Sequence, residues 1–383
     1  MPPTEIWVNG LVLSCIYMTM ASGLVLIFSI TRLLNWSHGQ FYMIGAYGAY
    51  FSFVSLGLPF LLSLILSGLA MCAIGIILQQ FILRPIAKSV GRQVLGPVFV
   101  GVATIALSML LEGAATLFFG AFPRGMNSPF KGVVAIGKAG VSYQQIFVVV
   151  FTIVLFAVMY LVLNKTRAGL ATRATAQDRH TAGLYGIKVS RIGLLVMGIG
   201  CSLAALAGGI VTPLFSIDPF IGSQALFMTV LAIVIGGLGS LIGAILGGLI
   251  LGFLGSVVSY YITYFYEIAL FGLVVLVLLV RPQGLFGQAE TGQAAGSPGQ
   301  SPPMNLVTLA PGKHTLTVVA GLVVAIFCEP AVTSNNFILS LFISAAVWSI
   351  ATMGFGLILR TGQFSLGQAG IMGLGAYFSG ILG

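Results

Sequence analysis

Stretches of about 20 apolar residues, the length of a helix that crosses a bilayer, recur along the whole of this chain. They do not alternate between apolar and polar residues as the strands of a membrane barrel do. Hydrophobic residues make up 58% of the 383 residues and charged residues only 6%, whereas soluble domains carry roughly 25% charged residues. The sequence therefore predicts an all-α fold, a polytopic transmembrane helical bundle.

The apolar stretches predict about eight or nine membrane segments before residue 287 and about three after it. They lie near 6–30, 39–55, 59–83, 94–119, 145–164, 191–213, 223–236, 242–257 and 265–280, and then near 315–330, 336–359 and 366–383. The segments at 223–236 and 242–257 are short and interrupted by glycine. A helix that breaks within the membrane must be buried in protein or line a cavity, so we expect broken or re-entrant helices here.

A polar linker divides the chain into two predicted units. Residues 288–303 are rich in Gly, Ser, Pro, Gln and Ala and contain no apolar run, a composition typical of a flexible linker. We predict a complete membrane unit over residues 1–287. Residues 304–383 are predicted to form the N-terminal part of a second unit, which we expect to be incomplete.

The two predicted units share an ordered series of short motifs. Each contains an arginine, then Ser-x-Gly-Gln, then Gly-Ala-Tyr. The motifs occupy Arg32, 37–40 and 45–47 in the first unit and Arg360, 365–368 and 375–377 in the second. Since both copies come out in the same orientation, we predict parallel repeats.

Basic residues are concentrated in one connection, residues 164–191, which we call the basic segment. It holds six of the 16 lysine and arginine residues of the chain. By the positive-inside rule, this segment is cytoplasmic and the N-terminus lies outside. Among the cations, only those of the longest external loop deviate from this topology: Arg124, Lys131 and Lys138.

The composition of the basic segment predicts a helix from Thr166 to Tyr185 that ends at Gly186, since glycine commonly follows a last helical turn. Small residues alternate with arginines along this helix, as a surface that another protein approaches closely would require. The residues alone leave two interpretations open. The segment either anchors the topology or forms the docking surface for a partner.

The motif from Ser37 to Gln40 predicts a capped helix start. In a capping box the serine hydroxyl accepts from a first-turn N–H group and the glutamine reaches back to the cap N–H. Helix N-termini favour anionic groups such as carboxylates, which indicates a translocation path. The candidates in this stretch are Asn35, Ser37, His38 and Gln40. The alternative is a simple turn at the interface, with Arg32 anchored to lipid headgroups.

Two further features within the apolar spans indicate path residues. Glu112 is the acid placed well inside a predicted span, where an ionisable group indicates function by default; a neutral, hydrogen-bonded acid is the alternative. Glycines recur from Gly237 and Gly239 onward, with Gly243 and Gly247 at spacings of four. This pattern indicates close helix packing or a hinge that lines the path.

Asp218 and Pro219 predict another helix start. Aspartate is a favoured N-cap residue and proline is favoured at the first helical position. Because the topology places this start outside, Asp218 is a candidate contact for an external partner protein.

Nothing in the sequence predicts a catalytic or metal site. The phosphate-binding motif Gly-x-x-x-x-Gly-Lys-Ser/Thr is absent, and the three histidines and four cysteines are scattered without metal-ligand spacing. The net charge of +9 comes from short connections between spans, so it does not indicate nucleic-acid binding. We therefore predict a non-enzyme without cofactors.

Several stretches resemble one family of membrane transporters. The pattern Arg167-Ala-Gly-Leu-x-x-Arg173-Ala174 followed by Gly186-Ile187 resembles the cytoplasmic coupling loop of ABC importer permeases. Four other stretches are similar to the permeases for branched-chain amino acids: residues 33–39, 218–220, 235–244 and 281–287. By this resemblance, residues 10–287 correspond to one permease, and residues 304–383 to the opening of the second permease of the same system.

The resemblance implies an ATP-driven importer subunit for branched-chain or related amino acids in the bacterial inner membrane. Two permeases would form the path, two ATP-binding subunits would dock on the coupling loop, and a periplasmic substrate-binding protein would deliver the substrate. The implied coupling residues are Arg167, Gly169, Arg173, Ala174, Asp178 and Gly186. The alternatives are a urea or short-chain amide permease, an ion-coupled secondary transporter with a cation site at the midplane, and a structural membrane subunit.

Overall fold

The computed structural model describes residues 4–89, 96–136 and 139–287, together with scattered positions between 340 and 381. The chain divides into two units, Met1–Glu290 and Thr291–Gly383, and the bundle described below belongs to the first. The linker predicted at 288–303 lies outside the described residues. So does nearly all of the second unit predicted at 304–383.

The described part of the first unit consists of α-helices and one short hairpin. The helices are α1 (Thr4–Thr31), α2 (His38–Val54), α3 (Phe60–Leu78), α4 (Arg84–Ser89), α5 (Gly96–Phe119), α6 (Tyr143–Lys165), α7 (Arg167–Gln177), α8 (Arg179–Leu184), α9 (Val189–Val211), α10 (Ile221–Gly236), α11 (Leu241–Tyr261) and α12 (Tyr266–Val280). A π-helical turn, Gln79–Leu83, joins α3 to α4, and a 3₁₀ turn, Thr263–Phe265, precedes α12.

Seven helices within the described residues are long and apolar enough to span a membrane. They are Thr4–Thr31, Phe60–Ile86, Val100–Phe119, Tyr143–Lys165, Val189–Val211, Leu241–Tyr261 and Thr263–Val280. This finding confirms the prediction of an all-α, multi-pass membrane protein. The predicted spans before residue 287 coincide closely with these helices and with the two shorter helices α2 and α10.

Helices α1 and α9 form the buried centre of the bundle, because small residues let their backbones approach. A Cβ atom on Gly23 of α1 would lie 2.7 Å from the carbonyl oxygen of Gly200 in α9. Helix α11 packs on the other side of α1, where the hydroxyl of Ser14 donates to the carbonyl of Leu249 over 2.9 Å. The centre of the fold therefore joins the first helix to helices near the end of the unit.

The glycines of α11 serve close packing. Cβ atoms on Gly243 and Gly247 would overlap carbonyl oxygens of α10, those of Gly236 and Ala232. A Cβ atom on Gly248 would lie 2.7 Å from a backbone nitrogen of α1. These contacts confirm the packing interpretation of the glycine spacing.

Helices α2 and α10 begin in the middle of the bundle rather than at either end. His38 Nε2, in the first turn of α2, lies 3.2 Å from the carbonyl oxygen of Met20, and Met20 is about 16 Å along α1 from its end at Thr31. Gly222, in the first turn of α10, packs directly against Gly39 of α2. The two helices therefore meet with their N-termini near the middle of the bundle, as expected of a re-entrant segment at 223–236. The expectation of a broken helix at 242–257 is wrong, because α11 is one continuous helix long enough to span a membrane.

The basic segment forms two helices, α7 and α8, rather than the single helix predicted from Thr166 to Tyr185. The chain bends at Asp178, which has extended backbone angles and ends α7. Gly186 has a φ of 82°, which confirms it as the glycine that follows the last helical turn. We call the end of the bundle that carries this segment the basic end.

A feature that the sequence analysis missed is the hairpin of β1 (Val133–Ile136) and β2 (Ala139–Ser142), which are antiparallel. It lies in the connection between α5 and α6. Earlier in the same connection, Arg124 forms an antiparallel bridge with Ile217, with N–H to carbonyl distances of 2.8 Å in both directions. These backbone pairs order the end of the bundle opposite the basic end.

Candidate functional site

The N-terminus of α2 is shaped by a turn around Asn35. Its Oδ1 accepts hydrogen bonds from the N–H group of Ser37 over 3.0 Å and from the Ser37 hydroxyl over 2.6 Å. The hydroxyl is therefore engaged, and α2 starts at His38 without a side-chain cap. The predicted capping box between Ser37 and Gln40 is wrong, although the predicted helix start is confirmed.

The side chain of Gln40 instead connects α2 to two other helices. Its Nε2 donates to Ser108 Oγ at 3.2 Å, Glu112 Oε2 at 3.1 Å and Ser223 Oγ at 3.1 Å. The Ser223 hydroxyl donates to the same carboxylate oxygen over 2.8 Å. We call this group the polar cluster: Gln40, Ser108, Glu112 and Ser223. Because Gln40 is fully buried and Ser223 is exposed, the cluster opens on the surface between α5 and α10.

Helix α5 approaches α2 through polar residues spaced four apart. The Thr104 hydroxyl accepts from the N–H group of Trp36 over 3.2 Å, one turn before Ser108. Residues four apart share one face of a helix, so this spacing is a sequence signal that could have identified Thr104 and Ser108 beside Glu112. Ser223 carries no such signal, because its partners come from other helices.

The other candidates near α2 lie behind the polar cluster rather than in it. Asn35, Ser37 and His38 are all buried. Within the described residues, Asn35 Nδ2 and His38 Nδ1 have no hydrogen-bond partner. The structure therefore brings Gln40 and Glu112 together and places the other three as the support of the helix start.

Gly237 and Gly239 lie at the basic end of α10, far from the polar cluster. Their φ values of 106° and 84° form the tight turn into α11, which suits glycine. The N–H groups of Leu285 and Phe286 donate to the last carbonyls of α10 over 2.8 and 2.9 Å, so the tail after α12 closes this turn. About 20 Å of helix separates the two glycines from the polar cluster.

Asp218 lies in the connection that leads into α10. Its Oδ1 accepts from the N–H group of Phe220 over 2.7 Å, whereas α10 begins at Ile221 with Phe220 as its N-cap residue. The prediction of Asp218 as N-cap and Pro219 as the first helical residue is therefore wrong. The carboxylate closes a turn just before the helix, and Asp218 as a partner contact stays a prediction.

Some of the small residues of the basic segment are buried within this chain. Gly169 is buried at the end of α6, where a Cβ atom would overlap the carbonyl oxygens of Val162 and Leu163. Ala182 is buried and Ala174 is half-buried. The expectation that these residues let another protein approach closely is therefore wrong for Gly169 and Ala182, since the neighbour is the chain itself.

The arginines of this segment lie on its exposed side. Arg167 and Arg173 are exposed, and Arg173 Nη1 donates to Asn164 Oδ1 over 2.8 Å. Sequence analysis missed three large apolar side chains that the same segment exposes, because leucine and tyrosine in a helix resemble core residues; one of them is Leu170, which is 61% exposed. Leu184 is 77% exposed and Tyr185 is 83% exposed, and we call this pair the apolar knob.

Asp178 caps α8. Its Oδ1 accepts from the N–H groups of His180 over 2.8 Å and Thr181 over 3.2 Å, and the Thr181 hydroxyl donates to Oδ2. These hydrogen bonds, with that of the Thr181 hydroxyl the strongest, hold the pKa of the Asp178 carboxyl below its usual value. Asp178 therefore fixes the helix that carries the apolar knob.

Replacing Asp178 with alanine is expected to loosen α8 by removing Oδ1, the oxygen that accepts from the N–H groups of both His180 and Thr181. Asp178→Asn keeps a capping oxygen and serves as the matched control. Hydrogen exchange of the backbone amides over residues 179–184 should be faster in Asp178→Ala than in Asp178→Asn. Equal exchange in the two variants would show that the cap does not order this helix.

Comparison with known proteins gives consistent matches over the first unit. Residues 6–281 match the protein family described as branched-chain amino acid transport system / permease component. The chain is 30% identical over 295 residues to the high-affinity branched-chain amino acid transport system permease protein LivH of Escherichia coli, covering 74% of this chain and 94% of LivH. It is 32% identical over 292 residues to the corresponding protein BraD of Pseudomonas aeruginosa, covering 74% of this chain and 95% of BraD.

Among solved structures, PsaBC from Streptococcus pneumoniae in complex with Fab matches at 18% identity and a TM-score of 0.37, covering 70% of this chain and 86% of that chain. This likeness is too low to bear on the fold. The family match, in contrast, includes the polar cluster, the basic segment and every helix from α2 to α12. The chain belongs to the family of permease components of branched-chain amino acid transport systems.

Proposed function

We propose that this chain is one permease subunit of an ATP-driven importer for branched-chain or related amino acids. The observation that carries the proposal is the meeting of α2 and α10 at mid-depth, where the polar cluster opens on the protein surface. Transporters commonly bind substrate near the midplane, where helices are broken. Substrate would move along this face by alternating access, driven by ATP hydrolysis on a partner.

A second permease subunit would complete the path. Polar and ionisable side chains within a membrane face protein or a water-filled cavity, because contact with lipid is costly. Ser223 is exposed and Glu112 is only half-buried in this chain, so the face between α5 and α10 needs a cover. A second permease packed there would convert the open face into an enclosed path.

The basic segment would face the cytoplasm of a bacterial cell, and the N-terminus would face the outside, by the positive-inside rule. Two ATP-binding subunits would then dock on the basic segment. Tyr185 of the apolar knob would be the main anchor of this surface, since tyrosine is enriched among the residues that carry most of the binding energy at protein interfaces. A periplasmic substrate-binding protein would approach the opposite end, where Asp218 and the hairpin lie.

A permease for urea or short amides has the same architecture and stays the alternative for the substrate. An ion-coupled secondary transporter has less support. In the part of the chain that the structure describes, no group of three or more His, Cys, Asp or Glu residues could hold a metal ion, and Glu112 is the one acid of the polar cluster.

The docking of the ATPases is tested by Tyr185→Ala. Losing an exposed aromatic anchor of an interface commonly costs about 2 kcal/mol or more of binding free energy, so co-purification of the ATP-binding subunits in mild detergent should fall about thirtyfold. The matched control is Tyr264→Ala, because Tyr264 is 100% exposed in the connection before α12, at the other end of the bundle.

Retention of the ATP-binding subunits by Tyr264→Ala together with their loss from Tyr185→Ala would support the assigned docking surface. Equal retention by both variants would contradict it. If the wild-type chain itself retained no ATP-binding subunit when expressed with its partner subunits, the proposal of an ATP-driven importer would be wrong.

A further inference from the structure

Apolar side chains follow the polar cluster on two of its helices, towards the end of the bundle opposite the basic end, which we call the outer end. On α2, Met43 and Tyr47 follow Gln40 by three and seven residues. On α5, Ala115 and Phe119 follow the carboxylate of the cluster by the same spacing, which keeps them on its face of the helix. The rings of Tyr47 and Phe119 stack with centroids 4.3 Å apart. The cluster is therefore bounded by an apolar layer on its outer side.

Ile217 completes this apolar layer from the connection between α9 and α10. It is fully buried and packs in one hydrophobic cluster with Met43 of α2 and Ala115 of α5. The preceding residue, Ser216, is exposed, so a single side chain of a surface connection is inserted into the interior here. Apolar constrictions of this kind close a path by excluding water.

Arg124 holds Ile217 in place. The two residues exchange both backbone hydrogen bonds, each over 2.8 Å. The side chain of Arg124 is itself fixed, because Nη2 donates to the carbonyl of Phe119 at the end of α5 over 2.8 Å and the guanidinium lies 5.7 Å from the centroid of the Phe51 ring, within the range of a cation–π contact. Ile217 is therefore tied through Arg124 to the outer ends of α5 and α2. These contacts give a role to a cation that deviates from the positive-inside rule.

The hydroxyl of Tyr47 is an unfavourable feature of the closed layer. Tyr47 is 1% exposed, and its hydroxyl oxygen has no hydrogen-bond partner among the described residues. Asp218 and Arg124 are near enough to act on it electrostatically, but neither bonds to it. A buried polar group without a partner is costly, and water admitted to the layer would pair it. Apolar burial therefore favours the closed layer, and the Tyr47 hydroxyl favours an open one.

We propose that Ile217, positioned by Arg124, is the plug of an outer gate that separates the polar cluster from the outside. The gate opens when the connection between α9 and α10 moves away from α2 and α5 and the backbone bridge between Arg124 and Ile217 breaks. The two connections that this bridge joins lie at the end where a substrate-binding protein would approach, so a protein that docks there and separates them opens the gate. This assignment rests on the proposed function and its topology, in which a second permease covers the remaining face.

The test uses the complete transporter in spheroplasts, with Ser223→Cys as a reporter in the polar cluster. A charged methanethiosulfonate reagent that does not cross the membrane is added outside, and labelling of the transporter without the reporter is subtracted. Ile217→Ala removes most of the plug and should raise the rate of labelling about tenfold or more. The matched control is Ile262→Ala, since Ile262 is 52% exposed directly after α11 at the outer end and its loss should leave the rate unchanged.

Tyr47→Phe should act in the opposite direction, because it removes the unpaired hydroxyl and keeps the stacked ring. With the loaded binding protein and ATP present, labelling of the reporter should be about fivefold slower than with Tyr47. Tyr260→Phe is the control, since Tyr260 is 58% exposed near the end of α11. A purely structural role of the layer predicts no acceleration by one substitution and slowing by the other.

Arg124→Gln should raise the rate of labelling as Ile217→Ala does, whereas Lys131→Gln, at an exposed cation of the same connection, should not. Equal labelling rates in Ile217→Ala and Ile262→Ala would overturn the gate and leave the permease assignment intact. Absence of ATP-driven uptake by the wild-type transporter would instead overturn the proposed function. If Ser223→Cys fails to assemble with its partners, Ser108→Cys on the α5 side of the cluster serves as the reporter with the same expected rates.

Discussion

Replacing Gly39 with alanine should destabilise the bundle strongly, although alanine favours helices more than glycine does. A Cβ atom at Gly39 would overlap the carbonyl oxygen of Gly222 and lie 2.8 Å from Leu226 Cβ. Because the obstacle is backbone and not a flexible side chain, α2 and α10 must separate. We expect the free energy of unfolding to fall by about 3 kcal/mol or more, measured by titration with a denaturing detergent.

Gly113→Ala is the matched control for Gly39→Ala. A Cβ atom at Gly113, in the middle of α5, would have nothing within 4 Å. Helix propensity alone predicts that alanine there is neutral or stabilising by up to about 1 kcal/mol. The two substitutions are chemically identical, so their difference reports the crossing of α2 and α10. Equal stability of both variants would contradict that crossing.

Replacing Gly169 with alanine should disconnect the basic segment from the bundle without unfolding it. A Cβ atom there would overlap the last carbonyls of α6, those of Val162 and Leu163, so α7 must move away from α6. The apolar knob on α8 would move with it. A change of 1.4 kcal/mol shifts the equilibrium for docking of the ATP-binding subunits about tenfold. We therefore expect ATP-driven leucine uptake to fall more than about tenfold.

The control for Gly169→Ala is Gly193→Ala. Gly193 lies in the first turns of α9, directly after the basic segment, and a Cβ atom there would have nothing within 4 Å. Both variants should reach the membrane in equal amounts, and only Gly169→Ala should lose uptake. Full uptake by Gly169→Ala would show that the position of α7 does not matter for coupling.

The spans were predictable because they depend on properties that are local in sequence. The length of an apolar run shows directly whether it can cross a bilayer, and the glycines before α11 mark the turn between α10 and α11. Gly186 was also predictable, because glycine commonly follows the last turn of a helix, where the backbone takes a positive φ. These features require no knowledge of what packs against them.

The details of the polar cluster were not predictable, because its partners are far apart in sequence. Ser37 and Gln40 have the spacing of a capping box. In the structure the Ser37 hydroxyl donates instead to Asn35, and the Gln40 side chain donates to Glu112 and Ser223. The sequence shows which groups can bond, and the fold decides which of them meet. For the same reason Gly169 was assigned to a partner protein, although its neighbour is α6.

The central position of α1 has a consequence for biogenesis. Its hydrogen-bond partners include Leu249 and Ser256, which are separated from Ser14 and Ile6 by 235 and 250 residues. At synthesis rates of about 5–20 residues per second, α1 waits on the order of tens of seconds before α11 is made. Because α1 contains few charged residues, it can remain in the lipid during this time. The core of this unit therefore forms only when nearly all of the unit has been inserted.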